Sequence, residues 1–147
     1  MKVLSFLHDT GPDHRGRYLS DIWKYSDDAI DTTHDFIQWV FPLDEPSGAS
    51  PDAPVLEPGE VALIRKSSLA AHNLNQSVQW FLNFLQRDKH WLAAHNHNHL
   101  RITRMIKSLR LLEGEMAANS VRSSVLRMGE PHKDKISELA FDYWRNA

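Results

Sequence analysis

The chain has 147 residues, no cysteine, and 17 Lys and Arg against 19 Asp and Glu, a formal net charge of −2 with histidine neutral. That length fits one domain with its own core, since single domains usually hold about 100–200 residues. The absence of cysteine excludes a disulfide scaffold, a thiolate zinc site and a thiol nucleophile, and a pI near 6.5 argues against a dedicated DNA binder.

Leu4, Phe6 and Leu7 predict one brief helix, and Leu19, Ile22 and Trp23 a second with Ser20 as its cap. The apolar run from Val3 to Leu7 is interrupted by Ser5. It is too short for a signal-peptide core of about 7–15 residues or a membrane span of about 20. The expectation is a cytoplasmic protein with no membrane span. Asp27 to Val40 predicts a third helix with Ile30, Ile37 and Val40 among its apolar positions. It must end near Phe41, because Pro42 pushes its predecessor out of the α region. In such a helix His34 and Gln38 stand at i, i+4 and share a face.

The stretch DEPSGASPDAPVLEP runs from Asp44 to Pro58, and five of the seven prolines fall between Pro42 and Pro58. Proline lacks the amide donor and fixes φ, so this is neither helix interior nor central strand. An ordered loop strapped over a helical core is expected. Pro58 suits the first position of a helix through Ile64. Leu74, Val78, Phe81, Leu82 and Leu85 mark the next, with Trp80 and Phe84 making its end apolar nearly all round, as in a central helix. Ile102, Met105, Ile106, Leu109 and Leu112 repeat the period, and Gly114 is a natural stop. Ala117, Val121, Val125 and Met128 form a further stripe ended by Gly129 and Pro131. Ile136, Leu139, Ala140, Tyr143 and Trp144 form the last, with Asp134 as its cap. No hairpin signal or β-branched alternation is present. The predicted fold is all-α, a compact single-domain bundle over residues 1–147 of about seven or eight helices with an ordered Pro-rich loop.

Charge is distributed unevenly. Residues 21–60 hold ten acids and one base, Lys24, whereas residues 61–127 hold ten bases and three acids. Two oppositely charged faces that meet and neutralise each other is the plain expectation, and a residual basic groove for an anion the sharper one. His90, His95, His97 and His99 invite a metal reading. The expectation is that these histidines have no carboxylate close by in sequence, and the H-E-x-x-H pattern is absent, so no metal and no cofactor is expected. Arg101, Arg104 and Lys107 recur every three residues. They serve either as ion-pair partners of the acidic half or as a guanidinium fork for a carboxylate or phosphate. The G-x-S-x-G, P-loop and dinucleotide-binding signatures are all absent.

HDFIQWVFPL (His34 to Leu43), followed by EPS and the Pro-rich stretch, and then HNHNHLRITRMIKSL (His95 to Leu109), together resemble the opioid growth factor receptor conserved-domain family. The opening GPDHRGRYLSDIWKYSDD is similar to short stand-alone bacterial versions of that domain. The positions that match the family motifs are His34, Ile37, Gln38, Trp39, Phe41 and Pro42, then His97, Asn98, Leu100, Arg101, Ile102, Thr103 and Arg104. The resemblance implies a binding protein, the vertebrate member being described as a nuclear-envelope-associated receptor for an enkephalin peptide, and it brings no agreed catalytic residues. The expected function is a helical ligand- or peptide-binding module. His34, Gln38, Asn98, Arg101 and Arg104 would line a shared site for a small anionic ligand or peptide, with no specific nucleic-acid partner. The alternative is a hydrolase or transferase on an anionic substrate, with His34 or His97 as general base and Arg101 and Arg104 as clamp.

Overall fold

A computed structural model describes the whole chain, residues 1–147. The fold is all-α. Nine helices follow in order: α1 (Lys2–Leu7), α2 (Leu19–Ile22), α3 (Asp27–Thr32), α4 (Ile37–Val40), α5 (Pro58–Lys66), α6 (Ser68–Arg87), α7 (His97–Leu112), α8 (Glu115–Gly129) and α9 (Glu138–Asn146). A 3₁₀ turn, Glu130–His132, separates the last two. No strand forms, and the one β-bridge joins Leu43 to Val55. No helix is long and apolar enough to cross a membrane.

The predicted helix over 27–40 is two helices. Thr33 takes an extended conformation (φ −95°, ψ 124°) and ends α3, and α4 begins only at Ile37. Thr32, Thr33, His34 and Asp35 are all weak helix formers, so little propensity resists the break. Two caps also differ from expectation. Tyr18, not Ser20, precedes α2, and Ser20 instead donates to Asp9 Oδ1 at 3.1 Å. Ser137, not Asp134, caps α9 by accepting the amide of Ala140.

The two long helices organise the rest. α6 packs against α1, α5, α7 and α8, and its Phe81 and Phe84 are fully buried. Trp80 on the same helix is only partly buried, its ring edge-on to Phe36 at 6.1 Å. α7 packs against α5, α6, α8 and α9, burying Ile102, Met105, Ile106, Leu109 and Leu112 as the period predicts. The Pro-rich loop is pinned at its neck. Leu43 and Leu56 are buried, and the Leu56 amide donates to the Leu43 carbonyl at 2.9 Å. Residues 44–46 then rise exposed beside α7.

Candidate functional site

α7 starts on a side-chain cap, the Asn96 Oδ1 accepting the Asn98 amide at 2.9 Å. From there His97, Leu100, Arg101, Arg104 and Lys107 stand at i, i+3, i+4, i+7 and i+10, one face of the helix. That face looks onto the α3–α4 turn and the Pro-rich loop. Between them lies a cleft of about 570 Å³, walled by His34, Ile37 and Gln38 on one side and by Leu43, Glu45 and Pro46 on another.

Two arginines hold the cleft's back wall. Arg101 Nη1 donates to the Ile30 carbonyl at 2.6 Å and Nη2 to the Thr33 carbonyl at 2.5 Å. Arg104 Nε donates to the Phe41 carbonyl at 2.8 Å and Nη2 to the Gln38 carbonyl at 3.4 Å. Ser108 Oγ donates to the Pro42 carbonyl at 2.7 Å. Helix C-termini leave carbonyls without intrahelical partners, so residues 101, 104 and 108 of α7 close the ends of α3 and α4 and the chain that follows. The cations also oppose the negative helix ends. Burial lowers both guanidinium pKa values to about 10, with Asp31 and Glu45 respectively acting in the other direction. Both groups stay charged at neutral pH. Arg101 also lies over the Phe36 ring, 5.4 Å from its centroid. The arginines therefore do not pair with the acidic half through carboxylates, as one sequence expectation had it. Their partners are carbonyls. Arg101 has both terminal nitrogens engaged, while Arg104 keeps Nη1 free of protein partners.

Gln38 is 5% exposed, and its Oε1 has no hydrogen-bond partner. Its Nε2 faces the His34 carbonyl at 3.5 Å. A carbonyl accepts only from the NH₂ end of an amide, so this contact fixes which end of Gln38 is left free. His34 sits in the turn, outside any helix, with its ring edge-on to His97 at 4.9 Å. Burial first, then the charges of Arg101 and His97, hold the His34 imidazole below its ordinary pKa. Lys107 crosses to Glu45 at 2.6 Å at the exposed mouth.

The structure brings His34, Gln38, Arg101 and Arg104 to one cleft. It does not bring Asn98, which is fully buried behind it. Asn98 Nδ2 donates to Asp31 Oδ1 at 3.0 Å and its Oδ1 accepts from Arg101 at 3.3 Å. Trp39 and Phe41 of the same motif are core, Trp39 packing against Phe6 at 5.5 Å. Leu43, Glu45, Leu100, Thr103 and Lys107 are among the other lining residues and were not in the predicted set. Helical spacing from His97 would have found Leu100 and Lys107, and Leu100 is 62% exposed on an otherwise packed helix. Nothing local in sequence points to Leu43 or Glu45.

Residues 15–147 match the family described as opioid growth factor receptor conserved region. The chain belongs to that family. It is 31% identical to the opioid growth factor receptor of Rattus norvegicus over 133 aligned residues, covering 76% of this chain and 22% of the relative. The receptor of Homo sapiens is 29% identical with 19% of its length covered, and opioid growth factor receptor-like protein 1 of Mus musculus 28% identical with 27% covered. The chain thus spans about a fifth to a quarter of the curated relatives it matches. These relatives are mammalian and give no support to the bacterial likeness of the opening. No solved structure matches.

Proposed function

We propose that this family member is a ligand-binding module whose cleft takes a small anionic ligand or an acidic peptide segment. The observation that carries this reading is Gln38, a cleft-lining residue whose buried Oε1 has no protein donor. Leaving such a group unsatisfied costs on the order of 1–3 kcal/mol, and a ligand N–H relieves that cost. Arg104 Nη1 and the Lys107 ammonium supply the positive end, and Leu100, Ile37 and Leu43 an apolar floor. An amide N–H, a carboxylate and an apolar side chain on one molecule match all three. The relatives' name, receptor, agrees with a binding role. A chain without cysteine suits a reducing compartment, and cytoplasmic action is part of this reading.

The test is an amide-resolved NMR titration with N-acetyl amino acids and acidic tripeptides. Shifts are expected to cluster at Gln38, Leu100 and Arg104, and to vanish in Gln38→Leu and Lys107→Met. No clustered shifts, or equal shifts in Gln38→Leu, would overturn the reading.

A further inference from the structure

Beside the cleft, the C-terminal ends of α3 and α6 meet. Asp31 lies in the last turn of α3, Asp88 is the residue that ends α6, and His90 follows two residues later. We propose that Asp31, Asp88 and His90 form a three-ligand site for a divalent first-row transition-metal ion of the zinc type.

The geometry fits such an ion. One ligand atom from each residue lies within 4.8 Å of the other two. His90 Nδ1 is 2.9 Å from Asp88 Oδ1 and 3.7 Å from Asp31 Oδ2. Zinc–ligand bonds of about 2.0–2.1 Å place neighbouring donors about 3.3–3.4 Å apart in a tetrahedron. Small side-chain adjustments reach that spacing.

The electrostatics call for a cation. Two carboxylates stand side by side at the negative ends of two helices, the least favourable place for them. No Lys or Arg pairs with either. Arg87, one residue before Asp88, is committed to Asp27 at 2.9 Å, and Arg101 is turned to the carbonyls of Ile30 and Thr33. The histidines His90 and His97 are the only ionisable partners of Asp31.

The outer shell is in place as well. Fully buried Asn98 donates to Asp31 Oδ1 at 3.0 Å, and His97 Nε2 approaches the same oxygen at 3.0 Å. The Asn98 hydrogen bond holds the carboxylate with Oδ2 turned toward His90. The His90 amide donates to Asp88 Oδ1 at 3.0 Å, fixing the second carboxylate. Such partners orient ligands in protein metal sites. One imidazole and two carboxylates favour zinc, cobalt or manganese over copper(I). His90 is largely exposed, so the remaining coordination position opens to water. The expectation of no metal overlooked Asp88, two residues before His90, and sequence alone does not show Asp31, which the fold brings to both.

Calorimetric titration of zinc into the chelator-treated, untagged full chain tests this. One equivalent is expected to bind. His90→Ala and Asp88→Asn are each expected to weaken it at least about 10-fold. His90 is exposed, so its replacement leaves the fold intact, and His95→Ala, equally exposed but outside the cluster, is expected to bind as the parent does. Cobalt is expected to give a visible spectrum in the parent that His90→Ala lacks. No zinc uptake at micromolar metal, or uptake unchanged in His90→Ala, would overturn the proposal.

Discussion

At the scale of single residues, Arg101 gives the clearest example of a charge whose partner sequence could not reveal. Its spacing with Arg104 and Lys107 marked it as an ion-pair partner of the acidic half or as a fork for an anion, and it lines the cleft. Its acceptors, however, are the main-chain carbonyls of Ile30 and Thr33, and main-chain carbonyls look alike in any sequence. Arg101→Ala leaves both facing a buried gap. The expected cost is about 2–6 kcal/mol, from two orphaned carbonyls at about 1–3 each. Arg101→Lys should recover little of it, because one ammonium cannot replace the planar fork. Urea denaturation of the two variants checks this, and an Arg101→Ala protein of unchanged stability would contradict it. His99 makes a second residue-scale case. Its Nε2 bonds the Trp91 carbonyl at 2.7 Å and its ring is edge-on to Trp144 at 5.4 Å. Burial is the largest influence on it and, with nearby His95 and His97, holds the imidazole below the ordinary 6.5, against the pull of the Trp91 carbonyl. The unfolded chain therefore takes up this proton at a higher pH than the folded one. Stability is full above about 6.5 and declines as pH falls from there toward the folded value. Denaturation midpoints should drop between pH 7.5 and 5, and less steeply in His99→Gln, which keeps a donor for the carbonyl. His34 shifts in the same direction, so part of the slope should survive.

At the scale of elements, period was a reliable guide where helices are long. The apolar stripes of α6 and α7 match their buried faces because each spans several turns and packs on neighbours along its length, while in α8 Val121 and Val125 are buried and Ala117 and Met128 only partly so. It failed between Asp27 and Val40. Ile30, Ile37 and Val40 fit a continuous helix, and all three are buried, but in two short helices joined by a turn. Short helices draw their stability from tertiary partners. Here those partners are Arg101 and Arg104, from a helix far along the chain. The break also decides the site, since it takes His34 off any helix while His34, Ile37 and Gln38 all line the cleft. Gly114 shows the opposite situation, an element boundary set by one residue. It has φ 103° and ψ −179°, a region that essentially only glycine occupies, and it turns α7 into α8. A Cβ there meets nothing within 4 Å, so the penalty of Gly114→Ala is backbone strain alone. A loss of about 1–3 kcal/mol is expected. Gly48→Ala in the Pro-rich loop, where space is also open and φ is not in the left-handed region, should change stability by less than about 1 kcal/mol. Thermal melts of the pair check the contrast, and equal effects would contradict it.

At the scale of the whole molecule, the uneven charge of the sequence does correspond to two surfaces that meet. The acidic α3–α4 region lies against the basic α7. The joint is made in a way that charge totals cannot show. Asp35 is taken by Arg17 at 2.9 Å and Arg15 at 3.1 Å, both from the N-terminal segment. Asp31 faces Asn98 and histidines. Only Arg87–Asp27 and Lys107–Glu45 join a Lys or Arg of residues 61–127 to a carboxylate of residues 21–60, and all four side chains are at least 40% exposed. Exposed pairs contribute roughly 0.2–1 kcal/mol each. The cohesion between the halves therefore rests on buried apolar contact and on arginine–carbonyl bonds, neither of which depends on long-range attraction. Raising the salt from about 0.1 M to about 1 M shortens the screening length from about 10 Å to about 3 Å. Unfolding free energy should fall by less than about 2 kcal/mol in sodium chloride, the scale of the two exposed pairs. A fall of several kcal/mol would mean that the opposed charge fields hold the halves together. The lining of the cleft should respond differently. Lys107 stands at the exposed mouth and Arg104 in the wall behind it, so an anion bound between them should weaken with salt even while the fold does not.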